Sequence, residues 1–165
     1  MMLCEMYRES GRDQDAMNLW SSSEHLFPQA VSAALTMYYV RKSDLSKANE
    51  YLEKFKLAGG DLIYAMCLEA TIAAFKGDKQ KALEIISKIE NSGGDGGVIL
   101  GAIGMTYYDF GDMDKFFEYM NRAMDIHALP LGNLVNDPLF EKARKDPRFE
   151  KLIQRLDLKI DFRSR

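Results

Sequence analysis

Apolar positions recur at three- and four-residue steps over most of this chain. Ala48, Tyr51, Leu52 and Phe55 follow that spacing, as do Leu83, Ile86 and Ile89. A stripe of this kind lies along one face of a helix. Polar and glycine-containing breaks separate the stripes. Together they predict helices near 13–23, 27–41, 44–57, 61–76, 79–90, 97–110 and 113–127. An aspartate stands at the start of three of them, at Asp44, Asp78 and Asp112. Its carboxylate can accept from first-turn amides and suits the positive end of a helix.

The breaks are periodic. Gly77-Asp78 recurs as Gly111-Asp112, and Ser43-Asp44 stands the same distance upstream of Gly77-Asp78. A fixed period of about 34 residues marks stacked helical hairpins. In the last copy Leu100, Ile103, Gly104 and Tyr107 precede the turn, and Phe116, Met120 and Ala123 follow it. The same slots hold Met66, Glu69, Ala70, Ala73, Ala82, Ile86 and Ile89 in the middle copy. In the earlier copy they hold Ser32, Leu35, Thr36, Tyr39, Ala48, Leu52 and Phe55. A partial copy opens the chain with Cys4, Tyr7, Gly11, Ala16 and Trp20, then Pro28.

This pattern resembles the tetratricopeptide (TPR) repeat. Tyr7, Tyr39 and Tyr107 match that family's aromatic late in helix A, and Gly11, Gly77 and Gly111 match its turn. Ala16, Ala48 and Ala82 match the small residue of helix B, and Ala70 and Gly104 that of helix A. Departures are Ala73 in the aromatic slot, Glu69 in an apolar slot, Phe116 in a small slot and a shorter first copy. The resemblance implies an all-α fold: a TPR-like α-α superhelix, a solenoid of antiparallel helix pairs with a short C-terminal helical cap. The units would be a partial repeat over 1–28, then about 29–62, 63–96 and 97–130. The apolar start, Leu3, Met6 and Tyr7, reads as the inside of a helix A, and so as a fragment of a longer repeat region.

After Pro130 the period is expected to stop. Asp137-Pro138 and Lys145-Asp146-Pro147 place Asp at an N-cap and Pro at the first helical position. Two helices are expected, near 137–144 and 147–156, within a capping and basic-tail region over 131–165. This ending is similar to that of TPR regions in larger bacterial and archaeal regulatory proteins. Those include adenylate-cyclase-like proteins, protein kinases and winged-helix regulators.

Hydrophobic residues make up 47% of the chain and charged residues 28%, which excludes general disorder. The net charge of −3 offers nothing global to nucleic acid or anionic membrane. Nine basic against six acidic residues make the stretch from 137 to 165 positive, but they interleave as on a solvated helix face. The start lacks a signal-peptide pattern, and no apolar run reaches the roughly 20 residues of a membrane helix. Cys4 and Cys67 form no close pair, which suits reduced thiols in a cytoplasmic protein.

Candidate chemistry is sparse. His25 and His127 have no partner at metal-ligand spacing, so no metal is expected. No Gly-x-Ser-x-Gly elbow is present. The run Ser92-Gly93-Gly94-Asp95-Gly96-Gly97 lacks the Lys-Ser/Thr of a P-loop and reads as a hairpin connector. Asp112 and Asp114 sit in turn and cap positions. Neither a catalytic residue nor a cofactor is expected.

The resemblance implies a ligand groove lined by helix A. Carried over, its positions are Ala33, Met37, Val40 and Arg41, then Tyr64, Cys67, Thr71, Ala74 and Phe75, then Gly101, Met105, Tyr108 and Asp109. Arg41 alone is basic, so the carboxylate clamp of chaperone-binding TPR domains is not expected. What remains is an apolar, Tyr- and Met-bearing concavity suited to protein contact. The competing reading packs these side chains inside the superhelix. The function expected is a non-catalytic protein–protein interaction module gripping a helix, a peptide, its own N-terminal region or a second copy. The alternative is a sensory module that binds a small apolar ligand and controls an attached effector domain.

Overall fold

The computed structural model describes residues 11–126 and 140–155. Among them the chain is helical, with no strand. The helices are α1 (Asp13–Ser23), α2 (Pro28–Arg41), α3 (Leu45–Leu57), α4 (Leu62–Phe75), α5 (Lys79–Asn91), α6 (Gly97–Phe110), α7 (Met113–Asp125), α8 (Glu141–Arg144) and α9 (Pro147–Gln154). The first seven lie within one or two residues of the expected spans. Of the first expected C-terminal helix, only Glu141–Arg144 falls in the described residues as α-helix. The expected roles of Cys4, Tyr7 and His127 lie outside the described residues.

The turns explain the boundaries. Asp44, Asp78 and Asp112 each accept a hydrogen bond at 3.1 Å from the backbone N–H three residues on. Ahead of them Ser43, Gly77 and Gly111 all take a left-handed backbone, with φ of 59°, 85° and 78°. Glycine adopts that conformation without strain and serine does not. The repeated slot therefore demands a left-handed residue, and Ser43 fills it at a cost.

The helix starts share one spacing. Leu45, Lys79, Met113 and Pro147 open α3, α5, α7 and α9, each one full period after the last. Asp146 keeps the cap role, accepting from the Arg148 N–H at 2.9 Å. The spacing thus continues past Pro130 to the final described helix. The turn ahead of α9 differs, since Lys145 is right-handed at φ −80° where Ser43, Gly77 and Gly111 are left-handed.

Neighbouring helices pair as α2 with α3, α4 with α5 and α6 with α7, while α2, α4 and α6 stack on one another. The core is a succession of clusters. Trp20, Val31 and Leu35 pack together, then Leu52, Phe55 and Leu68, then Ile86, Ile89 and Ile103, then Phe116, Phe149 and Leu152. Burying each such side chain contributes roughly 1.5–3 kcal/mol. Gly104 lets α6 approach α7 closely: a Cβ there would lie 2.6 Å from the Met120 methyl and 3.2 Å from the Tyr119 Cβ.

Candidate interaction surface

The helices α2, α4 and α6 run side by side, and their two ends differ. At their C-terminal ends Arg41, Phe75 and Asp109 are spaced one period apart in sequence and form one rung. Arg41 Nη1 lies 2.8 Å from Asp109 Oδ1, and its guanidinium carbon sits 5.1 Å from the centroid of the Phe75 ring. The Asp109 side chain is 5% exposed and that of Arg41 19%. Asp109 Oδ2 is buried without a hydrogen-bond partner. Burial pushes the Asp109 carboxyl above its ordinary value, and the Arg41 charge and hydrogen bond pull against that.

The N-terminal ends are open. There the first turns of α2, α4 and α6 surround a cavity of about 570 Å³. Ala33, Tyr64 and Ile99 form part of its apolar wall, with Asp61 and Asp95 at its polar positions. Gln29 Nε2 donates to the carbonyls of Ala58 and Gly59, at 2.8 and 3.1 Å, and so ties the start of α2 to the turn after α3.

A second recurrence builds this end. Ala58-Gly59-Gly60-Asp61 returns as Ser92-Gly93-Gly94-Asp95, at the same interval as the first recurrence. Gly59 and Gly93 are left-handed, with φ of 77° and 74°. Gly60 and Gly94 are there for space: a Cβ would meet the Phe55 ring at 2.4 Å or the Ile89 methyl at 2.6 Å. The copies differ in one respect. Asp61 caps α4 by accepting from the Tyr64 N–H at 2.7 Å. Helix α6 starts one residue later, with Gly96 at the N-cap and no side-chain cap, so Asp95 is left over. The glycine run is thus the turn joining α5 to α6, as its lack of P-loop residues suggested.

The exposed apolar residues follow the same polarity. Among the described residues six large ones are exposed: Leu26, Phe27, Leu57, Leu62, Val98 and Ile126. All six lie at the turns leading into α2, α4 and α6 or at the C-terminal end of α7, on the cavity's edge of the helix stack. The opposite turns, around Ser43, Gly77 and Gly111, expose none. Asp61 and Asp95 form no ion pair among the described residues.

Apart from Ala74, which is half-buried, the groove positions inferred from the resemblance divide into five groups. Ala33 and Tyr64 line the cavity. Arg41, Phe75 and Asp109 form the closed rung. Val40, Cys67, Thr71 and Gly101 are buried, and the Thr71 hydroxyl lies 3.1 Å from that of Thr106. Met37 packs on the α2–α4 cluster. Met105 and Tyr108 pack against the C-terminal cluster, Tyr108 at 5.2 Å from Phe116 and 5.8 Å from Phe140 between ring centroids. The buried side chains of this third group leave little surface exposed. The edge residues Leu57, Leu62 and Val98 escaped sequence reasoning, although the second glycine recurrence pointed at their turns.

Burial raises the Cys67 thiol to about 12, which leaves it protonated and inert at neutral pH. Among the described residues no group of His, Cys, Asp and Glu could hold a metal ion, and no helix is long and apolar enough to cross a membrane. No family model matches the chain, and no curated protein matches it significantly.

Proposed function

We propose that this chain is a non-catalytic protein–protein interaction module built on TPR-like hairpins. Its contact surface would be the cavity-bearing edge of α2, α4 and α6, not the full concave face. The observation that carries this reading is that the six large apolar residues exposed among the described residues all lie on that edge. Large apolar residues left exposed on one edge are candidates for an interaction site. The constant period, kept from Leu45 to Pro147, supports the repeat architecture and the TPR likeness. A cytoplasmic location belongs to the same reading.

The test is reconstitution with a purified partner identified by affinity capture. Val98→Glu and Leu62→Glu alter exposed side chains and should leave the helical content intact. Each should weaken binding at least tenfold. Equal binding by wild type and both variants would remove the edge from consideration.

A second reading follows from the cavity itself. About 570 Å³ is the size of a small-molecule site. A sensory module would keep a small apolar molecule there, visible by native mass spectrometry of the full chain. Loss of that mass in Tyr64→Glu would favour this reading over protein docking.

A further inference from the structure

Among the described residues, every aspartate but one is held by a helix. The others either lie inside α1, α6 or α7 or stand at an N-cap, as Asp61 does ahead of α4. Asp95 does neither. It is exposed in the turn from α5 to α6, and its carboxylate neither caps α6 nor forms an ion pair among the described residues. Its backbone N–H is tied to the Gly93 carbonyl at 2.9 Å.

The next residue is Gly96, and this is the sole Asp-Gly pair in the chain. The fold does not demand glycine there. Gly93 is left-handed at φ 74°, and a Cβ on Gly94 would meet the Ile89 methyl at 2.6 Å. Gly96 is extended, with φ −62° and ψ 145°, and a Cβ on it would meet nothing nearer than 4.0 Å. What the missing side chain does is leave the Gly96 nitrogen open to approach by the Asp95 carboxyl. The capping aspartates are closed to that approach. Asp61, Asp78 and Asp112 direct an oxygen to the amide three residues on, and Leu62, Lys79 and Met113 crowd the adjacent nitrogen. Behind Asp146 stands Pro147, which has no N–H.

We propose that Asp95-Gly96 is a modification site, where isoaspartate forms spontaneously. The Gly96 nitrogen attacks the side-chain carboxyl carbon of Asp95. A C–N bond forms, the amide proton and the carboxyl hydroxyl leave as water, and a five-membered succinimide closes. Water then opens the ring. Breaking the bond from the nitrogen to the side-chain carbonyl restores aspartate. Breaking the bond from the nitrogen to the main-chain carbonyl leaves the backbone running through the side chain, as isoaspartate. One water is lost and one regained, so no oxidant or cofactor takes part. The product adds one carbon to the backbone just ahead of α6. Asp95 and Gly96 both line the cavity, so the change falls in its wall. The reaction does not depend on what the cavity binds.

Incubation of the full chain at neutral pH and physiological temperature over several weeks tests it. Peptide mapping with electron-transfer fragmentation separates isoaspartate from aspartate at equal mass. Isoaspartate should accumulate at position 95 at least fivefold faster than at any other aspartate, with a precursor lighter by one water. Gly96→Ala fits the extended backbone and the open space, so circular dichroism should be unchanged while conversion slows at least fivefold. A parallel incubation in guanidinium gives the rate of the unfolded chain, which folded Asp95 should match closely and folded Asp61 should not. Three results would overturn the proposal: Asp95 unmodified in the folded chain while the unfolded chain converts, Asp61 or Asp78 converting as fast as Asp95, or Gly96→Ala converting like wild type.

Discussion

Arg41 and Asp109, far apart in sequence, are joined by a 2.8 Å ion pair that passes beside the Phe75 ring. This contact links the first and third helices of the stack across the second. Removing one partner strands the other in a poorly hydrated place. Arg41→Ala should destabilise the fold by about 2–3 kcal/mol, below the full penalty for a buried pair because Arg41 is partly exposed. In the Arg41→Ala/Asp109→Asn double variant part of that loss should return, since no charge is left unpaired. Urea unfolding of the four proteins in the cycle measures both effects.

The same pair has an acid signature. The folded state raises the Asp109 carboxyl above its ordinary value of 3.8, burial outweighing Arg41. A carboxyl raised on folding favours the folded state below its unfolded value, and that contribution is lost as pH rises through the folded value. Relative to Asp109→Asn, the wild type should therefore lose stability as pH rises from about 3.8 and then level off. The difference between the two urea midpoint curves isolates Asp109 from other carboxylates. A difference that grows in favour of the wild type with rising pH would reverse the sign.

Ser43 holds a left-handed backbone at φ 59° where the equivalent residues are glycines. Ser43→Gly should stabilise the chain by about 0.5–1 kcal/mol. Gly77→Ala should lose about 1 kcal/mol, although open space surrounds its would-be Cβ. Chemical denaturation of both variants separates backbone strain from crowding.

Asp61 and Asp95 occupy the same place in two copies of one turn but do different work. Asp61 caps α4, whereas α6 starts without a side-chain cap. Asp61→Ala should cost about 1 kcal/mol. Asp95→Ala should change the unfolding free energy by no more than a few tenths of a kcal/mol. Equal losses would place a cap on α6.

Helix existence and ends are legible in the sequence because each is set locally. The apolar stripes place the helices, and the Asp after each left-handed residue starts the next one. At Lys145 the backbone is right-handed, so α9 starts at the same spacing and behind an Asp cap but after a different turn. The surface is harder to read. Periodicity says which face of a helix a residue lies on, not whether the next helix covers that face. Cys67 and Thr71 lie on the side of Phe75 yet are buried, Thr71 against Thr106 of α6, and Val40 is buried in the cluster that includes Leu52 and Phe55 of α3. Leu57 and Leu62 look like core residues in sequence. They are exposed because the Gly59-Gly60 turn carries the chain over Phe55, and nothing among the described residues covers its outer side.

Amide hydrogen exchange of the full chain, compared free and bound to a purified partner, reads the interaction surface most directly. Protection should concentrate at 26–33, 57–64 and 93–99, the segments that carry the exposed apolar side chains and the cavity wall. Protection confined to the outer faces of α3, α5 and α7, or to the Arg41–Asp109 end, would contradict the assignment of that edge.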